Sequence, residues 1–175
     1  MKIIEAQKKD IEKIRNLAYT IWPDTYGEIL DLKQIEYMLD SFYNEDNLLL
    51  QMNTNQKFLL VKNDSQYLGF ASYEINSKAK KTKLHKIYIL PNLQGKGIGR
   101  LLLNEIENRA KKAHNLYLYL NVNKYNKALY FYKKIGFEII KEEVIEIGEG
   151  YVMDDFVLEK KWDNDSVVFF ELNKP

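Results

Sequence analysis

Residues 94–99, QGKGIG, carry glycine at every second position, between the apolar run IYIL with Pro91 and a leucine-rich segment of helical period. Glycine lets the main chain approach a ligand with no Cβ in the way, and a helix start directs unpaired N–H groups outward with partial positive charge. Such a bend accepts phosphate. The same glycines would also serve a tight strand-to-helix turn that holds nothing. Two phosphate loops fail on the residues. A dinucleotide fingerprint requires glycine at Arg100, and a Walker loop requires Ser or Thr after Gly-Lys, where this chain has Gly97.

Other side chains capable of chemistry are few. His85 sits on a strand-like run and can accept a proton near neutral pH, or serve only as a satisfied polar residue. His114 falls near the end of the long helical segment, where interaction with the helix terminus explains it better. Tyr132 lies in YFYKKIGF, whose aromatic density by itself reads as core. Cysteine is absent, which removes disulfides, thiolate metal sites and any acyl intermediate on a protein thiol. No Gly-x-Ser-x-Gly elbow and no His-x-x-x-Asp acyltransfer motif occur either, so a covalent acyl-enzyme has no evident carrier.

The positioning elements follow from periodicity. A short apolar strand at Ile3 and Ile4 leads to a helix with Ile11, Ile14, Leu17, Ala18 and Ile21 on one face, ending at Pro23. After an irregular WPDTYGE, Asp31 and Gln34 form a capping-box pattern for a second helix with Leu32, Ile35, Leu39 and Phe42 in its stripe. KFLLVKN, YLGFASYEI and TKLHKIYIL read as an antiparallel meander. A helix with Ile98, Leu102, Ile106, Ala110 and Ala113 buried, the strand LYLYLNV, a short helix KALYFYKKI closed by Gly136, and the strands FEIIKEEVIEI and YVMDDFVLEKK complete the order βααβββαβαββ. Strand KIYIL, helix, strand LYLYLNV is a βαβ unit, hence one parallel pair in an otherwise antiparallel sheet of an α/β (α+β) fold with flanking helices. Ligands usually sit at the carboxyl ends of such parallel strands.

Bulk properties narrow the function classes. The 175 residues, 46% hydrophobic, suit one domain over 1–162, with 163–175 as a C-terminal extension: an extra edge strand, a packing arm or a homodimer contact. With 26 basic against 25 acidic residues there is no strong field to gather nucleic acid or anionic membrane, so neither is an expected partner. MKIIEAQKKD is too short in apolar residues for a signal sequence, and no run reaches the roughly 20 needed to cross a bilayer, so a soluble cytoplasmic protein is expected.

Gln94-x-x-Gly97-x-Gly99 after a strand resembles the coenzyme A pyrophosphate loop of the GNAT superfamily of N-acetyltransferases. NKYNKALYFYKKIGFE resembles that family's later motif, with Ala128, Tyr132, Gly136 and Phe137 at matching spacing. The resemblance spans Ile3 to about Lys160 and includes the element order. It implies acetyl-CoA as cosubstrate, no metal, and direct transfer of acetyl to an amine. It also implies a pyrophosphate site from Gln94, Gly95, Lys96, Gly97, Ile98, Gly99 and Arg100. The main chain of Ile87, Tyr88 and Ile89 would pair with the pantetheine arm. By the same likeness Tyr132 is the general acid, and His85 stands where relatives often carry glutamate, as base unless a water chain serves. Many members place an asparagine seven residues before the tyrosine; here that position is Tyr125, flanked by Asn123 and Asn126, either of which would take over the cofactor contact.

The acceptor side of such folds points to Trp22, Asp24, Tyr26 and YVMDDF, with Asp154 as the carboxylate for a cationic amine. Asp154 and Asp155 are adjacent on a strand, so only one faces the substrate. The Met-Asp-Asp strand and motif spacing look like the subgroup of PaiA-type spermidine/spermine acetyltransferases, which makes a polyamine or other small primary amine the expected partner. The alternatives are acetylation of protein amines and a regulatory module that binds acetyl-CoA without turnover.

Overall fold

A computed structural model describes residues 1–162; the proposed extension, with its edge strand, packing arm or dimer contact, lies outside the described residues. The architecture is mixed α/β. The described strands are β1 (Lys2–Glu5), β2 (Gln56–Lys62), β3 (Tyr67–Lys78), β4 (Lys81–Ile89), β5 (Tyr117–Asn123), β6 (Glu138–Gly148) and β7 (Tyr151–Lys161), in one sheet of order β1-β2-β3-β4-β5-β7-β6. The helices are α1 (Ile11–Tyr26), α2 (Leu32–Phe42), α3 (Glu45–Asn53), α4 (Ile98–Lys112) and α5 (Ala128–Lys134). The sheet is mostly antiparallel, with β4 parallel to β5, as the βαβ reading requires. Leu116 N–H donates to the Lys80 carbonyl at 2.8 Å where these two strands begin.

The described residues divide into two compact units, Met1–Glu74 with Leu84–Glu105, and Ile75–Lys83 with residues 106–162. In the first, β2 buries Phe58, Leu59, Leu60 and Val61 in succession, a run that only a strand covered on both faces tolerates. Its register with β1 pairs Ile3 with Val61, and with β3 pairs Leu60 with Phe70. In the second, β5 pairs antiparallel with β7 and buries Leu118, Leu120 and Val122. Among the described residues β6 pairs with β7 alone, and it is exposed along nearly its whole length.

Three elements differ from the sequence reading. Helix α1 does not stop at Pro23 but continues to Tyr26. An interior proline costs about 3 kcal/mol through the lost N–H bond and the ring's clash. Trp22 and Tyr26, one turn apart and only 3% and 6% exposed, offset this at about 1.5–3 kcal/mol each. Helix α3 has no counterpart in the element order expected from the sequence, its leucines are consecutive, and only Leu48 of it is fully buried. Its start is nonetheless encoded, since Asn44 Oδ1 accepts from Asn47 N–H at 2.8 Å and Glu45 and Asp46 occupy the first turn. In α2 the buried face is Ile35, Met38 and Leu39, while Leu32 is 64% exposed. Asp31 caps this helix through Lys33 N–H at 2.7 Å. Ala113 lies just past the end of α4, and His114 closes the following turn with φ of 58°.

Candidate active site

In the first unit, β4 gives way at Ile89 to a single 3-10 turn, Pro91–Leu93, and then to the glycine loop. Gly95 and Gly97 have φ of 76° and 83°, in the left-handed region that costs an L-residue about 1–2 kcal/mol. A Cβ at either would meet nothing within 4 Å, so backbone conformation, not crowding, demands glycine there. Residues Gln94 to Gly97 are exposed, as are the cationic Lys96 and Arg100. Leu101 N–H is the amide that bonds to Gly97 C=O, at 3.0 Å. The amides that open α4 before it are those that helix geometry leaves without an intrahelical acceptor. An exposed bend with no Cβ, opening a 15-residue helix and flanked by two cations, fits a diphosphate. Gln94 Nε2 donates to the Ile89 carbonyl at 3.3 Å, tying the loop to the end of β4.

The carboxyl half of β4 is held close to β3. A Cβ on Gly69 would lie 2.4 Å from the Tyr88 carbonyl oxygen and 2.7 Å from Ile89 Cδ1, so glycine is what permits the strands' spacing where Ile87, Tyr88 and Ile89 stand. Trp22 and Tyr26 from α1 join the ring of Tyr88: Trp22 is 4.7 Å from Tyr26 and 5.8 Å from Tyr88 between centroids, and the Tyr26 and Tyr88 hydroxyls are 3.0 Å apart. Tyr43 and Phe70 extend this cluster, and burial pushes the Tyr43 phenol far up. Lower on β4, His85 Nε2 lies 3.1 Å from Glu74 Oε2, a carboxylate that orients the ring.

In the second unit, Tyr132 on α5 is 6% exposed, edge-on to Phe131 and Phe137 at 5.4 and 5.6 Å. Asn123 Oδ1 accepts from Tyr125 N–H at 3.0 Å, and Asn126 Oδ1 from Ala128 N–H at 2.9 Å, so both carbonyl oxygens shape the turn into α5. Asp154 is taken up by Lys124, 2.7 Å from its Nζ, and the same ammonium lies 2.7 Å from Glu142. Bonds to Asp154 first, then to Glu142, hold Lys124 above its ordinary range. The interior carboxylate of the pair is Asp155, 4% exposed. Burial pushes its carboxyl up to about 6, with Glu143 and Asp154 adding to the rise while Asn121 and Lys83 oppose it. The sequence identified the two-faced dipeptide but held no signal for which face is interior; the structure buries Asp155, which stands between Asn123 of β5 and Glu143 of β6 in the register.

The family model described as an acetyltransferase (GNAT) domain matches residues 29–152. The chain belongs to the GNAT acetyltransferase family. It is 32% identical over 162 residues to the spermidine N(1)-acetyltransferase of Thermoplasma acidophilum, covering 89% of this chain and 94% of that protein. A crystal structure of the PaiA N-acetyltransferase from the same organism, in complex with coenzyme A, superimposes with a TM-score of 0.78 at 31% identity, over 92% of this chain and 98% of that one. A shorter match, 34% over 90 residues, joins half of this chain to 60% of the [ribosomal protein bS18]-alanine N-acetyltransferase of Haemophilus influenzae. This GNAT chain is thus an acetyl-CoA-dependent N-acetyltransferase, which sets aside the reading as a binding module without turnover. Among the described residues no His, Asp and Glu cluster could hold a metal ion, and no helix is long and apolar enough to cross a membrane.

Proposed function

We propose that this GNAT enzyme acetylates a small primary amine, a polyamine foremost, by direct attack on the thioester. The likeness to the Thermoplasma spermidine N(1)-acetyltransferase along 89% of the chain carries the choice of acceptor. Bound acetyl-CoA supplies the activated acetyl group. Amides of Gly95 to Arg100 hold the diphosphate, and main-chain N–H groups of Ile87 to Ile89 polarise the thioester carbonyl as negative charge develops on it. His85, oriented by Glu74, removes the ammonium proton so that a neutral nitrogen attacks. The new N–C bond forms as the C–S bond breaks, Tyr132 gives its phenolic proton to the leaving thiolate, and the second proton of the acylated nitrogen returns through water to the phenolate. Trp22 and Tyr26 line the acceptor's aliphatic chain. Asn123 and Asn126 brace the turn that presents α5 to the cofactor.

A free-thiol assay against spermidine, spermine, simple monoamines, amino sugars and an alanine-ended peptide tests the reading. Spermidine should lead the panel in kcat/KM. Turnover confined to the alanine-ended peptide would reject it in favour of protein acetylation, the alternative that the match to the ribosomal-protein-alanine enzyme supports.

A further inference from the structure

Asp155 Oδ1 is shut off from solvent and has no hydrogen-bond partner. An unpaired buried carboxylate oxygen costs free energy that an amide or an apolar residue would avoid. Its surroundings relieve the carboxylate only in part. Asn121 favours the charged form of Asp155, yet its Nδ2 also donates to Glu143 Oε2 at 3.0 Å, and Oδ1 of Asp155 is left without a donor. Glu143, directly across from Asp155 on β6, is also engaged by Lys141 at 2.9 Å. Asp154, next along β7, is paired with Lys124, and Lys83 on β4, whose Nζ stands 5.8 Å from the Tyr119 ring, acts on the cluster only at longer range. Two carboxylates therefore face each other across β6 and β7, one of them nine-tenths buried with an oxygen that lacks a donor.

We infer that Asp155, with Asn121 and Glu143, forms a subsite that holds a second, non-reacting ammonium group of the acceptor. This rests on the amine-acceptor reading above. A carboxylate that binds an ammonium stabilises its proton, which opposes the neutral nitrogen needed for attack. The site therefore suits the nitrogen that stays charged. Glu143, about a third exposed, is the side chain that swings to admit the ligand, exchanging its bond to Asn121 for one to the incoming cation. The enzyme would then prefer amines with two cationic nitrogens over monoamines of equal length.

Calorimetry in the presence of coenzyme A, which cannot donate acetyl, tests this with hexamethylenediamine and hexylamine as probes. The native enzyme should bind the diamine at least about tenfold more tightly than the monoamine, as expected for one added charged hydrogen bond. Asp155→Asn should bring the two within about threefold while leaving hexylamine affinity unchanged. Lowering the pH of the native enzyme from about 7.5 to 5 should erode the diamine preference without any substitution, since Asp155 then protonates. Hexylamine controls for titration elsewhere. Equal affinities in the native enzyme, or a tenfold preference that survives Asp155→Asn, overturns the subsite. If spermidine is acetylated and the preference survives, the subsite falls and the acceptor reading stands. If diamine binding depends on Asp155 but no amine of the panel is acetylated, the acceptor reading falls and the subsite stands.

Discussion

Two side chains concentrate the energetics at the residue scale. Tyr132 sits among Phe131 and Phe137, and its aromatic surroundings would serve a purely packing tyrosine equally well. Function and packing separate on substitution. Tyr132→Phe keeps the ring and its burial, so the melting temperature should move by no more than a few degrees. If Tyr132 is the general acid, as proposed, the substitution should lower kcat by about 100-fold with the KM for acetyl-CoA little changed. Unaltered kcat would remove Tyr132 from proton transfer. Asp155 behaves in the opposite sense. Its folded pKa lies above the ordinary carboxylate value, so the protonated form favours folding. That contribution is complete below about pH 4 and is lost as pH rises through about 6. The difference of roughly two pKa units corresponds to about 3 kcal/mol. Asp155→Asn escapes this penalty, and should melt about 5–10 °C above the native enzyme at pH 7.5 but near it at pH 4, by scanning calorimetry. A variant that is less stable at pH 7.5 would contradict the buried, unpaired carboxylate. A rise in stability together with loss of the inferred diamine preference would be the usual trade at a functional site.

Elements were legible in the sequence to the degree that their residues repeat. The strands with runs of branched and aromatic residues, and helix α4 with Ile98, Leu102 and Ile106 in its buried stripe, follow from period alone. Helix α3 did not, because its leucines are consecutive and one of them, Leu50, points to solvent. The turn through Pro23 did not either, since what sustains it is aromatic burial contributed by residues distant in the chain. The glycine loop was visible as a motif, yet its spacing could not separate glycines required by conformation from those required by crowding. Gly97, with φ of 83° and open space at its Cβ position, belongs to the first kind. Gly97→Ala should cost about 1–2 kcal/mol of stability or tilt the loop to avoid that cost, and in either case weaken acetyl-CoA binding measured by titration calorimetry. Gly69, read only as part of a strand, belongs to the second kind. Gly69→Ala drives a methyl into the Tyr88 carbonyl, so β4 must shift at Ile87 to Ile89. Overpacking of this kind costs about 1–3 kcal/mol. The KM for acetyl-CoA should rise although no group that touches it has been removed, and a variant with native KM and melting temperature would show that the strands can separate freely.

For the molecule as a whole, charge balance leaves recognition to local chemistry. Twenty-six basic and 25 acidic residues give no general attraction for anions, so adenine nucleotides of similar charge must be distinguished by the shape of the loop and the arm that follows it. A Walker loop would hold phosphates with a lysine followed by Ser or Thr; here Lys96 is followed by Gly97, and glycine is likewise missing where a dinucleotide fingerprint needs it, at Arg100. Binding to the native state alone raises stability in proportion to the logarithm of ligand saturation, about 2.7 kcal/mol at a hundredfold excess over Kd. For a chain of this length that is about 5–10 °C in melting temperature. Acetyl-CoA should produce such a shift, while ATP and NAD at equal concentration should move the transition by less than about 1 °C. If the loop takes the diphosphate and β4 the pantetheine arm, as proposed, desulfo-coenzyme A and 3′-dephospho-coenzyme A, which keep both, should retain most of the effect that NAD, with a diphosphate and no arm, lacks. A shift that followed ATP instead would mean that the bend recognises phosphate without the arm, and the assignment of Ile87 to Ile89 to the pantetheine would fail with it.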